Sequence, residues 1–292
     1  MSAPYIGALA NREFVKMNGL GNEIVVIDLR HSPKPIEPAA ARAAARQEPY
    51  DQLMALYPAC GEADAAVRIF NNDGSEAGAC GNGMRCVAAL IAAETGRTDL
   101  TFETPAGVIS CRRAGEFFTV DMGRPRWRWD EIPLSREFAD TRAIELSYGP
   151  AGAPILHAPS AVSMGNPHAI FWVDDPNAYD LATIGPALEH DPLFPERANI
   201  TLAAIPSRER LLIRTWERGA GLTQACGSAA CAAAVAAARL GRTERRVTVS
   251  LPGGELAIEW RASDDHVLMT GPVAYEHKGR FDAALFADLG AA

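Results

Sequence analysis

Apolar positions along this chain fall into short runs rich in β-branched residues, broken by glycine and proline, with two long alanine-rich stretches among them. E-I-V-V-I-D (Glu23–Asp28) predicts a buried strand, and V-R-I-F at 67–70 alternates as a half-buried one. N-N-D-G from Asn71 is turn chemistry. Residues 39–45 and 85–94 predict helices, the second closed by Gly96 at its C-cap. L-T-F-E-T-P-A-G-V-I-S-C then reads as strand, turn, strand, and E-F-F-T-V-D-M as a further strand. The order recurs later: A-I-F-W-V, L-L-I-R-T-W, a helix over 230–240, V-T-V-S-L, E-L-A-I-E-W and H-V-L-M. The segment 125–159, rich in proline, arginine and tryptophan, breaks the pattern and reads as the link between halves. Mixed strands with one buried helix per half predict an α+β architecture.

The recurrence is a repeat rather than a coincidence of types. A-C-G-N-G at 79–83 and A-C-G-S-A at 225–229 each place a cysteine ahead of an alanine-rich helix, half a chain apart. Asn22 precedes Cys80, and Asn166 precedes Cys226, by nearly the same interval. Asn71 and Glu217 stand at matched offsets before the two cysteines, and T-P-A-G and L-P-G-G at matched offsets after them. Landmarks kept in order and spacing argue for a duplicated unit of one domain each. The expected domains are 1–124 with a C-terminal tail 273–292, and 125–272.

Composition narrows the class. An apolar fraction of 48% and a charged fraction of 22% are those of a globular protein. No apolar run approaches the ~20 residues of a membrane span, and the N-terminal M-S-A-P-Y-I lacks a secretory pattern, so a cytoplasmic location is expected. A net charge of −8 argues against nucleic-acid and membrane partners. Six cysteines are too few for a disulfide scaffold, and their spacing has no C-x-x-C, so no metal is expected.

The two paired cysteines carry the chemistry. The first turn of a helix has unpaired N–H groups and roughly half a positive charge, which eases ionisation of a thiol and binds carboxylates. Cys86 and Cys231, inside the helices, read as core. Cys60 and Cys111 have no partner motif and receive no role.

At these residues the chain resembles the diaminopimelate epimerase family. The resemblance rests on M-N-G-L-G-N-E from Met17, R-I-F-N-N-D-G-S-E-A-G-A-C-G-N-G-M-R-C from Arg68, G-N-P-H from Gly165, E-R-A-N from Glu196 and E-R-G-A-G-L-T-Q-A-C-G-S from Glu217. It implies two pseudo-symmetric domains, each a mixed β-sheet or barrel-like layer around a central helix, with the active site in the cleft between them. It implies Cys80 and Cys226 as the catalytic thiols. It implies Asn22, Gln52, Asn71, Asn166, Asn199, Glu217 and Arg218 as substrate-binding residues, with Gly81, Asn82, Gly227 and Ser228 as a backbone cradle and His168 in support. It further implies a homodimer acting on a small amino-acid substrate in lysine and cell-wall precursor synthesis. The chain carries Q-E-P-Y before Asp51-Gln52 where the family has a glycine-containing loop, and Ser228-Ala229 where threonine and glycine are common.

Inverting an α-carbon removes a proton from one face and returns one to the other, which two thiols in opposite protonation states accomplish. Arg218 would pair with a substrate carboxylate, and the asparagines would contact carboxylate or ammonium groups. Pyridoxal phosphate would need a Schiff-base lysine, and Lys16, Lys34 and Lys278 have no supporting motif, so no cofactor is expected. Two alternatives stand beside this reading: a proline racemase or hydroxyproline epimerase, disfavoured by C-G-N where those sites carry C-G-H, and a non-catalytic thiol redox protein.

Overall fold

A computed structural model describes residues 7–290. The residues 1–6 on which the secretory reading partly rests lie outside that range. The chain divides into two compact units, one formed by residues up to 120 together with 271 onward, the other by residues 121–270.

In the first unit, Glu13–Asn18 pairs antiparallel with both Glu23–Asp28 and Ala274–Arg280. Glu23–Asp28 runs parallel to Gln52–Tyr57, and the crossover between them contains helix α1 (Pro38–Gln47). Gln52–Tyr57 pairs antiparallel with Ala65–Asn71, which turns through N-N-D-G into the short strand Glu76–Ala77. Gly74 takes φ +85° there, a left-handed position that glycine reaches without penalty. Helix α2 (Gly81–Thr95) follows and ends at Gly96, φ +72°, as an αL cap. The hairpin Asp99–Thr104 and Gly107–Ala114 and the strand Phe117–Asp121 complete the run.

The second unit repeats this order. Ser160–Ser163 pairs antiparallel with Pro167–Trp172, which runs parallel to Asn199–Ser207 through a crossover holding helix α3 (Leu181–Glu189). Asn199–Ser207 pairs antiparallel with Arg210–Glu217, and Gly221–Leu222 folds back on its end. Helix α4 (Gly227–Arg239) comes next, then Arg246–Leu251, Gly254–Trp260 and Val267–Gly271.

Helix α4 is buried nearly all round, from Gly227 to Ala237, and six strands of its unit pack against it. A helix apolar on every face belongs inside a core. Its alanines have no side chain beyond Cβ, so strands approach the helix axis on all sides and wrap it as a curled layer. Helix α2 is enclosed less completely, with Met84, Cys86, Val87 and Ala88 fully buried.

Three readings from the sequence change. Segment 125–159 is no linker: Ile132, Leu134, Ile144, Leu146 and Leu156 are core residues of the second unit, and Arg126 bridges to Ser163. Its prolines and arginines punctuate a wrapped segment whose apolar residues point inward. Among the described residues the second unit holds two α-helices, α3 and α4, where one was expected; the first holds the two expected, α1 and α2. Helix α3 escaped notice because Gly185 and Pro186 interrupt its period, although Asp180 caps it through Thr183 N. Helices α2 and α4 also begin at Gly81 and Gly227, a turn earlier than the alanine runs, because glycine at a helix start weakens the propensity signal.

The close wrapping of α4 has a measurable consequence. Ala233 is fully buried, so Ala233→Leu should overpack the second unit and cost about 1–3 kcal/mol, read as a lower urea midpoint. An unchanged midpoint would mean that the strands do not close on the helix.

Candidate active site

Cys80 is the N-cap of α2, with extended backbone (φ −148°, ψ 97°), and its sulfur accepts the N–H of Gly83 at 3.3 Å. Two amide oxygens face the same sulfur, Asn22 Oδ1 at 3.7 Å and Gln52 Oε1 at 3.6 Å. The sulfur therefore has a partner in either state: S–H donates to an amide oxygen, and the anion receives the Gly83 N–H. Gln52 opens its strand opposite Asn71, and its Nε2 donates to Asn71 Oδ1 at 3.4 Å. Asn71 Nδ2 donates in turn to Ser75 Oγ at 3.0 Å. Asn22 is held by Asp51 Oδ2, which accepts both Asn22 Nδ2 and Glu23 N–H at 2.8 Å. The altered loop before Asp51 thus leaves Gln52 beside Cys80, because the parallel pairing Ile24↔Gln52 sets its place.

Glycine shapes this corner. A Cβ at Gly83 would lie 2.6 Å from Met54 Sδ and 3.3 Å from Cys80 Sγ, and one at Gly19 would press 3.0 Å from Asn82 O. Asn82 is buried, and its Oδ1 accepts the fully buried Arg85 Nη1 at 3.0 Å. The Asn82 side chain thus serves the helix.

In the second unit Cys226 is the N-cap of α4 in a similar extended conformation (φ −115°, ψ 107°). It is almost fully buried, and its Sγ lies 3.5 Å from Ser228 Oγ. Burial pushes this thiol well above the ordinary range, and the carboxylate of Glu217 pushes it further. Glu217 is steadied by Thr223 Oγ1, which donates to its Oε1 at 2.5 Å. Asn166 Nδ2 reaches Ser228 Oγ at 3.4 Å, and Asn166 Oδ1 accepts His168 Nε2 at 3.0 Å. A chain of contacts therefore runs from His168 through Asn166 and Ser228 to Cys226.

Asn199 is buried at the start of its strand: its Nδ2 donates to Pro167 O, at the start of the neighbouring strand, and its Oδ1 accepts Arg218 N–H, both at 3.0 Å. Arg218 Nη1 donates to Glu196 O at 2.9 Å. The first unit thus gathers Cys80, Asn22, Gln52 and Asn71, and the second gathers Cys226, Ser228, Asn166, His168, Asn199, Glu217 and Arg218. Sequence reasoning missed Asp51 and Thr223, which hold named residues in place. Neither stands in a motif of its own; only the tertiary contact reveals them.

The other thiols are placed differently. Cys86 is fully buried, and burial pushes it up to about 12. Cys231 and Cys111 are buried and Cys60 is exposed. Among the described residues no three His, Cys, Asp or Glu side chains are grouped to hold a metal ion, and no helix is long and apolar enough to cross a membrane.

A family model described as Diaminopimelate epimerase matches residues 14–128 and 160–276. The chain belongs to the diaminopimelate epimerase family. A protein named Diaminopimelate epimerase from Rhodopseudomonas palustris (strain ATCC BAA-98 / CGA009) is 64% identical over 284 residues, covering 96% of this chain and 97% of that one. One of the same name from Bradyrhizobium sp. (strain ORS 278) is 62% identical over 285 residues, covering 96% and 99%. Among solved structures, a hydroxyproline epimerase of Agrobacterium vitis with bound trans-4-hydroxy-L-proline superposes with TM-score 0.66 at 15% identity, covering 93% of this chain and 92% of that one. A phenazine biosynthesis protein of Bacillus anthracis superposes with TM-score 0.66 at 14% identity, covering 94% and 99%. At such identities these two establish a shared fold and nothing further.

His168 links the site to stability. It is fully buried and held neutral, its value lowered to about 3 by burial and then by Arg218. That value lies below the ordinary 6.5, so as pH falls the unfolded chain takes the proton first and stability is lost between about 6.5 and 3. Between pH 6.5 and 4.5 the loss should be about 2 kcal/mol by linkage, read from urea midpoints. His168→Gln should flatten that drop; an equal drop in the variant would place the titration elsewhere.

Proposed function

We propose that this protein epimerises LL-2,6-diaminopimelate to the meso form, in lysine and peptidoglycan precursor synthesis, by proton transfer between two thiols and one α-carbon. The observation that carries this reading is the repeated N-cap cysteine. Each unit sets one thiol at the start of its central helix, among amides in one and beside a carboxylate in the other. Family membership supplies the substrate: the relatives at 62–64% identity bear that activity in their name.

The division of labour follows from the two environments. Cys226 is the resting acid, since burial and Glu217 keep its proton on sulfur. Cys80 is the base in that direction, with the Gly83 N–H directed at its sulfur. In the reverse direction the roles exchange, and the amide oxygens of Asn22 and Gln52 then receive the Cys80 S–H. The N–H groups of Gly81 and Asn82, and of Gly227 and Ser228, are the donors for the α-carboxylate, where charge builds as the proton leaves. Arg218 and Glu217 grip the charged ends of the amino acid, with Asn71 and Asn166 completing the polar set, while Asn199 holds the Arg218 backbone in place. The assembly is read as a homodimer by resemblance to the family.

A proline or hydroxyproline epimerase is the weaker reading. The fold it shares with this chain does not decide the substrate, while the motifs around both cysteines match the diaminopimelate enzymes.

Solvent deuterium uptake at the α-carbon decides between them, with diaminopimelate, proline and hydroxyproline offered in turn. Uptake should occur with diaminopimelate alone. Cys80→Ala and Cys226→Ala should each retain less than about a tenth of the turnover, a loss exceeding about 1.4 kcal/mol. A variant above that level would rule out the two-thiol mechanism.

A further inference from the structure

Helix α3 carries a buried carboxylate that no step of the mechanism uses. Glu189, at its last turn, is only 3% exposed. Its Oε2 accepts the indole Nε1–H of Trp216 at 2.7 Å, and its Oε1 accepts the backbone N–H of Gly219 at 3.0 Å and Arg197 Nη1 at 3.3 Å. Trp216 and Gly219 are the residues immediately before and after Glu217-Arg218. One carboxylate therefore brackets the Glu217-Arg218 pair, of which Glu217 acts on the Cys226 thiol.

The fit is built on both sides of the indole. A Cβ at Gly185 would lie 2.4 Å from Trp216 Cγ, so glycine there lets the ring lie against α3. Glu189 follows Gly185 by one helical turn on the same face, which delivers its carboxylate to the ring's N–H. On the other side the ring lies against Gly221, where a Cβ would sit 3.5 Å from its edge. The third donor, Arg197, belongs to the loop whose Glu196 carbonyl accepts Arg218 Nη1 and whose next strand opens at Asn199. The Glu196 carbonyl that accepts Arg218 Nη1 is thus next in sequence to a residue held by Glu189, and Gly219, which follows Arg218, is held by it directly.

We propose that Glu189 is a positioning residue for the epimerisation: its carboxylate fixes the 216–219 turn so that Glu217 bears on Cys226 and Arg218 stands ready for a substrate carboxylate. The proposal rests on the functional reading above. Arg197 is the charged group that faces Glu189, and Glu217 the one that acts on Cys226. Buried carboxylates with three donors are held rigidly, because any displacement leaves a buried donor unpaired.

Glu189→Gln tests this with little change of size. An amide presents one oxygen and one NH2, so it sets a donor against either the indole N–H or the Gly219 N–H and Arg197. Alkylation of Cys226 by iodoacetamide is followed across the neutral to alkaline range in the full chain, with the Cys226 peptide read by mass spectrometry. Deuterium uptake by diaminopimelate is measured on the same samples. With Glu217 no longer held toward the sulfur, the alkylation midpoint should move down by about half a unit or more. kcat/KM should fall about tenfold with a raised KM, as the Arg218 grip loosens. An unmoved midpoint overturns the proposal, whatever the melting temperature does; so does a rise in alkylation rate that is uniform across pH. If Glu189→Gln does not fold, Trp216→Phe removes one anchor and keeps the carboxylate. It should shift the midpoint in the same direction by less, and an unmoved midpoint there also overturns the proposal. Failure of the wild type to exchange deuterium would sink the functional reading, while the alkylation midpoints would still decide the role of Glu189.

Discussion

A helix whose first turn is buried leaves backbone N–H groups that its own ladder cannot satisfy. In this protein both central helices start that way, and each has a cysteine as its N-cap. Sulfur accepts weakly, so the turn keeps capacity to bind an anion and to share negative charge with the thiol. The rest of the fold supports that arrangement. The alanines of α4 let strands close around it, the glycines at 81, 83 and 227 keep side chains out of the turn, and Met54 packs where a side chain at Gly83 would stand.

The two units repeat a topology but not an electrostatic environment. Around Cys80 the partners are neutral amides, Asn22 and Gln52, with Asn71 behind them. Around Cys226 they are the carboxylate of Glu217 and the hydroxyl of Ser228, in a drier pocket. Asn71 and Glu217 stand at matched offsets before the two cysteines, so the duplicated frame places a neutral amide in one unit where the other has a carboxylate. That asymmetry puts two chemically identical thiols in different surroundings, with the Cys226 thiol pushed well above its ordinary range by burial and Glu217.

Much of the candidate site was legible because its residues stand in short, dense motifs. Cys80 with Gly81 and Asn82, Cys226 with Gly227 and Ser228, and Glu217 with Arg218 are each contiguous, and local chemistry at a helix start suffices to read them. Gln52 was harder, because the loop before it departs from the family's form; the parallel pairing of its strand with Glu23–Asp28 places it beside Cys80 regardless. Glu189 and Asp51 were invisible, since each acts on a residue distant in sequence and neither sits in a motif.

The sequence by itself determined the repeated order of elements, the α+β class, the two cysteines at helix starts and the strands whose apolar runs are continuous. These depend on residue type and on spacing along the chain, which a string of letters contains. Only the tertiary structure decided that 125–159 is core rather than linker, that α3 is a helix despite Gly185 and Pro186, and that Asn199 spends its amide on the backbones of Pro167 and Arg218. The reason is the same in each case. Burial and hydrogen-bond partners are properties of what packs against a residue, and packing between segments far apart in sequence can override a local propensity worth less than about 1 kcal/mol per residue.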